Sequence, residues 1–189
     1  MIAVLRFRRA AVVIIALGVT AGLFLVPMTP SWEHVSAQTA PRTAPGDRFF
    51  LKIDGLAGEV TEADHVGELA LRSFTWSASR TDTSTKVQTK DFHSVMAFDA
   101  ASPLLMRKTA IRERIAKAVL TVRNPLGQDY LKWTMSDVIL TSVQMEGTAG
   151  QGKPLVTFDM NVAKIDVEYR PQFTNGGLGP SAKTGWEAR

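Results

Sequence analysis

The spacing of apolar residues divides the chain into an unbroken apolar run near its start and a long region of two-residue alternation after it. Ala10 to Val26 (AAVVIIALGVTAGLFLV) is uncharged, and apolar apart from Thr20. From Phe49 onward apolar and polar residues alternate, the period that puts every second side chain on one face of a strand. Phe49 to Ile53 is a short apolar run ended by the turn pair Asp54-Gly55. Gly67 to Arg80 alternates with Leu69 and Leu71 on one parity and Phe74 and Trp76 on the other, so a bulge or a passage between sheets is expected inside it. Val87 to Phe98 continues the β pattern.

Ser102-Pro103 then predicts the start of a helix, with serine capping the free amides and proline at the first helical position. Leu104, Leu105, Lys108 and Ile111 give it an amphipathic face. Arg107, Lys108, Arg112 and Arg114 crowd its later part, where the helix dipole favours cations. Ile115 to Arg123 predicts a strand closed by the turn Asn124-Pro125-Leu126-Gly127. Tyr130 to Met145 alternates best, with Leu131, Trp133, Met135, Ile139, Val143 and Met145 on one face. Glu146 to Pro154 (EGTAGQGKP) is a Gly-rich loop. Leu155 to Tyr169 starts with Val156, Phe158, Met160 and Val162 on one parity and continues with Ile165, Val167 and Tyr169 on the other. It therefore flips near Ala163-Lys164. Several antiparallel strands and one helix give a mainly β fold, a small antiparallel barrel or sandwich. At ~3.3 Å per residue the two longest strands would span ~50 Å, so they must bend or project past their neighbours. An edge that long calls for cover by another subunit.

The apolar run belongs to a leader. Met1 to Arg9 carries three arginines and no acid, Pro27 and Pro30 end any helix, and Val35-Ser36-Ala37 offers small residues for cleavage. This is signal-peptide grammar over residues 1–37. The apolar stretch is longer than an ordinary signal core and approaches the length that spans a bilayer, so an uncleaved anchor is the alternative. Either way the arginines stay cytoplasmic and the chain beyond Pro27 crosses. The residues flanking Arg8-Arg9 do not complete a twin-arginine signal. A start at Met28 would remove the leader and leave a cytoplasmic protein. Gln38 to Asp47 (QTAPRTAPGD) reads as a linker, and residues 48–189 as the globular domain.

Charge excludes little beyond nucleic acid. There are 22 basic and 18 acidic residues, and taking away Arg6, Arg8, Arg9 and Glu33 of the leader leaves 19 against 17. No basic stripe remains. Cysteine is absent, which removes thiolate nucleophiles, disulfides and Cys-based zinc sites.

Candidate chemistry gathers in two places. Glu59, Glu62, Asp64, His65 and Glu68 supply carboxylates and an imidazole within ten residues, suited to a hard cation, but read more simply as a solvated turn-rich loop. His93 beside Asp91 offers a base with an orienting acid, yet strand positions two apart share a face without needing chemistry. No G-x-S-x-G accompanies them. Gly147, Gly150 and Gly152 join two strands rather than opening a helix, so they read as a hairpin loop and not a phosphate cradle. Trp76, Trp133 and Phe158 read as core. No catalytic, cofactor-binding or metal-ligating residue is expected, and no cofactor.

In their order, several blocks resemble one family. They are Phe50-Leu51-Lys52-Ile53-Asp54-Gly55 with Gly58-Glu59, His65 and Gly67-Glu68; Ser73-Phe74-Thr75-Trp76-Ser77-Ala78-Ser79; Lys90-Asp91-Phe92-His93; Asp99-Ala100-Ala101-Ser102-Pro103-Leu104. Ala118 to Arg123, Leu131-Lys132, Asp137 to Val143 and Val162 to Gln172 come next, with a Gly-rich tail ending in Gly185-Trp186. Together they resemble the haemolysin-coregulated protein (Hcp) family, the tube-forming proteins of type VI secretion. The resemblance implies a β-barrel with one helix that assembles as a ring of six, stacks into a tube and carries effector proteins in its lumen. It implies a mechanical role and no catalysis. Three features depart from the family pattern: Thr81 to Lys86 (TDTSTK) is shorter than its usual loop, Glu187 follows Trp186, and the leader is foreign to it. The departures keep a second reading open, an exported relative that works as a secreted or periplasmic interaction module without the machine. In both readings the membrane is met only through the leader.

Overall fold

The computed structural model describes residues 46–79 and 88–187, all within one compact unit, Arg42–Arg189. The expected leader, most of the linker and the segment Thr81 to Lys86 lie outside the described residues.

The strands are β1 (Arg48–Ile53), β2 (Leu69–Thr75), β3 (Ala78–Ser79), β4 (Gln88–Thr89), β5 (Phe92–Ala97), β6 (Arg114–Arg123), β7 (Asp129–Glu146), β8 (Leu155–Tyr169) and β9 (Ala182–Glu187). Helix α1 (Ser102–Ala110) lies between β5 and β6. The order β5-β2-β1-β6-β7-β8 closes on itself because β5 also pairs with β8, giving a six-stranded antiparallel barrel. Beyond the barrel, β9 pairs with the last part of β8. Closure buries an apolar interior that includes Leu51, Phe92, Leu120, Met135 and Phe158, and Leu105 of α1 joins it.

The parity switch in β2 is a bulge between Leu71 and Ser73, which turns Leu71 inward and leaves Phe74 to pack on the same core. The flip in β8 is also present, with Val162 and Ile165 both buried. It has company. In β6 the buried residues are Ile115 and then Ala118, and in β7 they are Met135 and then Val138. The three breaks share one row, Ala116, Asp137 and Ala163, with regular pairing on either side. Asp137 is left-handed there, at φ 52°.

This row corrects the single face expected for β7. Its core side runs through Met135, changes to Val138 and Leu140 after Asp137, and changes again at a bulge between Leu140 and Ser142. Ile139 falls off the core face and Met145 is half exposed. Periodicity missed this because a left-handed aspartate and an extra residue each invert the pleat without breaking the run of strand formers. The length expected of β7 and β8 is accommodated both ways. β7 continues beyond the start of β6, and β8 is flanked by β5 along its first part and β9 along its last.

At α1 the serine does not cap as expected. Ala101 is the N-cap, Ser102 is the first helical residue, and Pro103 falls in the first turn. The capping role passes to Asp99, whose Oδ1 accepts the Ala101 amide at 2.9 Å, while the Asp99 amide donates to Ser102 Oγ at 3.0 Å. The helix end is a Schellman turn built on Arg112 at φ 51°. The Arg112 and Glu113 amides donate back to the carbonyls of Thr109 and Lys108. β9 was not expected as a strand: its Gly185 and charged flanks hide the period, and pairing with β8 supplies it.

Candidate functional site

The first candidate cluster lies on the segment 56–68, between β1 and β2, which includes a short 3-10 helix (Ala63–His65). The segment closes on itself: the Gly58 amide donates to the Gly67 carbonyl and the Gly67 amide to the Val60 carbonyl, both at 2.8 Å. Gly58 is required, since a Cβ there would meet the Glu68 carbonyl oxygen at 2.3 Å. The loop then folds back over the outer wall of the barrel. Phe50 and Arg123 occupy outward positions on β1 and β6, yet they are only 4 % and 5 % exposed because the loop covers them.

Under that cover the charges interlock. Arg123 donates through Nε to Asp129 Oδ1 at 2.6 Å, through one terminal nitrogen to Glu62 at 2.6 Å and through the other to Asp64 at 2.9 Å. Arg48 reaches the second oxygen of Glu62 at 2.6 Å. The His65 ring stacks on Phe50, centroids 4.1 Å apart and nearly parallel, with Nδ1 2.9 Å from Glu68 and Nε2 3.3 Å from Asp129. The hydrogen bond to Asp129, working against burial and joined by those to Glu62 and Asp64, raises the Arg123 guanidinium further above its ordinary range. Burial lifts the Asp129 carboxyl, but its bonds to Arg123 and His65 outweigh that and hold it below the usual range.

Glu62, Asp64, His65 and Glu68 are thus brought together, and Glu59 is not. Glu59 turns to the other side of the loop, accepts the Ala100 amide at 3.1 Å and pairs with Lys153 at 2.9 Å. The expected solvated loop is in fact an ion-paired cover with a buried histidine. Arg123 and Asp129, its principal partners, are distant in sequence and outward in strand parity, so nothing local marked them. Among the described residues no group of three or more His, Asp or Glu side chains is arranged to hold a metal ion.

The second cluster spans the closure of the barrel. His93 and Asp91 do not pair with each other. His93 Nδ1 lies 2.7 Å from Asp159 Oδ1 directly across the β5–β8 ladder, and Asp91 accepts Asn161 Nδ2 at 2.8 Å. The bulge in β7 lets two consecutive residues reach outward to these acids, Thr141 to Asp91 at 2.6 Å and Ser142 to Asp159 at 2.5 Å. The carboxylate stands between serine and imidazole, so the imidazole does not touch the hydroxyl and the Ser–His contact of an activated nucleophile is not formed here. Gly147, Gly150 and Gly152 lie in the loop between β7 and β8. Phe158 is fully buried, and Trp76 and Trp133, both packed on the core, meet each other edge to face with centroids 5.2 Å apart.

A third joint holds the end of the barrel. Asn124, buried in the β6–β7 turn, donates to Gln128 and Gln172 and accepts the Leu126 and Gln128 amides. It ties the hairpin to the segment after β8. Beside it Tyr130 donates to Asp47 at 2.6 Å, and burial together with that acid pushes its phenol up to about 12.

Among the described residues these three clusters act as joints between elements distant in sequence. The family model for the type VI secretion system effector Hcp matches residues 50–169. Protein hcp1 of Pseudomonas aeruginosa is 27 % identical over 155 residues, covering 75 % of this chain and 94 % of that protein. The crystal structure of Hcp1 from Salmonella typhimurium superposes with a TM-score of 0.67 at 27 % identity, over 76 % of this chain and 95 % of that one. A type VI secretion system effector from Yersinia pestis shares the fold, with a TM-score of 0.64 at 24 % identity over 74 % and 98 %. A closed barrel matched over residues 50–169 by this family model makes the chain a member of the Hcp family of type VI secretion, a structural, non-catalytic protein.

Proposed function

We propose that the barrel assembles as a ring of six and serves as a tube or carrier subunit of type VI secretion. The family match over residues 50–169 carries this reading, because proteins of the family form hexameric rings. The strands support it: β7 runs on past the start of β6, and β9, which among the described residues pairs on one side only, offers backbone that a neighbouring copy would cover. Native mass spectrometry of the untagged protein tests it. A six-fold species is the expected result, and a monomer at all accessible concentrations would sink the ring.

A second reading rests on one feature, the leader over residues 1–37. In this reading the barrel is exported singly and works outside the cytoplasm as an interaction module. The intact mass of the protein from fractionated cells and medium separates the two. A chain beginning at Gln38 in periplasm or medium favours the exported module. A chain beginning at Met28 in the cytoplasm favours the tube, and full-length protein in the membrane fraction means an anchored barrel.

A further inference from the structure

The sequence holds three asparagines, Asn124, Asn161 and Asn175, and the structure treats them very differently. Asn124 is buried, uses both its donor and acceptor atoms, and precedes a proline that has no amide hydrogen to lose. Asn161 lies within β8, donates to Asp91 and precedes the β-branched Val162. Asn175 is exposed at the tip of the turn after β8 and precedes Gly176, which is left-handed at φ 84°. Its side-chain oxygen accepts the Gly177 amide at 3.0 Å.

We propose that Asn175–Gly176 is a site of spontaneous backbone cyclisation, with the fold itself promoting the reaction. The Gly176 nitrogen, after losing its proton to water, attacks the side-chain carbonyl carbon of Asn175. Negative charge develops on Oδ1, the atom at which the Gly177 N–H already points. That donor plays the part of a single oxyanion-hole contact. The carbon–nitrogen bond to the side-chain amide breaks, and ammonia leaves into solvent after taking up a proton. The resulting five-membered imide is opened by water at either carbonyl, giving aspartate or isoaspartate. Gly176 has no Cβ to obstruct the approach. The attacking amide must first leave the Phe173 carbonyl, to which it donates at 3.0 Å, and that bond lies at the exposed tip.

The product changes the turn in two ways. Either acid adds a negative charge at the tip. Isoaspartate also adds a methylene to the main chain, which the paired bonds Phe173 amide to Gly177 carbonyl and Gly176 amide to Phe173 carbonyl cannot both span. The bridge between Gln172 and Leu178 lies immediately behind them, and Gln172 is a partner of Asn124. Cyclisation therefore loosens the joint between the C-terminal segment and the β6–β7 hairpin as the protein ages.

Peptide mapping by mass spectrometry over a time course tests this on the full chain, folded in mildly alkaline buffer and in parallel unfolded in denaturant. The expected result is that the peptide containing Asn175 gains the mass of amide-to-acid conversion and splits into two isomers. Those containing Asn124 and Asn161 stay unchanged in the folded protein. The folded rate at Asn175 should equal or exceed the unfolded one. A folded rate several-fold slower than the unfolded one would overturn the proposal, and so would modification of Asn161 as fast as Asn175. The Gly176→Ala variant should slow the reaction in both states; an unchanged rate there would place the chemistry elsewhere and overturn it equally.

Discussion

The Arg123 network and the Asp91–Asp159 clasp both lie on the outer wall of the barrel, both join elements far apart in sequence, and both are made of carboxylates and their donors. They differ in cover. The segment 56–68 folds over Arg123 and leaves its side chain 6 % exposed, whereas His93 at the clasp keeps 45 %. Under the cover a lost carboxylate leaves the buried Arg123 guanidinium short of a partner, while at the clasp water takes the vacated place. The same chemistry therefore fastens a loop irreplaceably in one region and only trims strand pairing in the other.

Removing the centre of the network should have the largest effect. Arg123→Ala removes the buried donor shared by Glu62, Asp64 and Asp129, whose carboxylates still reach solvent, and is expected to cost about 1.5–3 kcal/mol in urea unfolding, with Phe50 newly accessible to solvent. A loss below about 1 kcal/mol would mean that the cover opens at little cost and the contrast fails. Next comes Asn124→Ala, which breaks the adjoining joint and should cost about 1–3 kcal/mol by the same measurement.

The two regions should also part in acid. Asp129 is held below the ordinary carboxylate range, so its contribution is complete above the unfolded value and is lost as pH falls through the folded one. Stability measured downward from about pH 5 should decline in the wild type and decline less in Asp129→Asn. Asp99, raised by burial, acts in the opposite sense and is common to both proteins, so the difference between the two curves isolates Asp129. Equal slopes would remove Asp129 from the account.

At the clasp, His93→Ala should cost no more than about 1 kcal/mol and leave the network intact. The smallest expected effect lies just inside. Ser94, next to His93 on β5, is fully buried and its hydroxyl has no partner among the described residues, so Ser94→Ala should be neutral or stabilising by up to about 1 kcal/mol. A clear loss of stability there would reveal a bond that the hydroxyl makes.

Much of the barrel was legible because strands advertise their faces. The bulge in β2 could be read from Leu71 and Phe74, and the flip of β8 from Val162 and Ile165, since burial on the wrong parity needs a break. β7 deceived because Ile139, outward between the two breaks, is apolar too, so hydrophobicity continued where the face did not. The candidate cluster was legible as a group but not as a structure. Glu62, Asp64, His65 and Glu68 are close in sequence, whereas Arg123 sits on a strand position that points away from the core. Only the folding back of segment 56–68 makes that position an interior. Local pattern carries no record of such cover.

The common break at Ala116, Asp137 and Ala163 has a consequence for mispairing. An ordinary strand can slide by two residues against its neighbour and still present its apolar side chains to the same face. Here three adjacent strands change sides at the same level, and β7 changes once more beyond it. If β7 slid by two against β8, the stretches between their displaced breaks would bury polar residues of one strand opposite apolar residues of the other. The correct alignment is therefore the one arrangement in which both halves of all three strands are satisfied together. The barrel carries a vernier mark in its own wall, and a chain with such long strands is spared the near-miss alignments that a uniform repeat would allow.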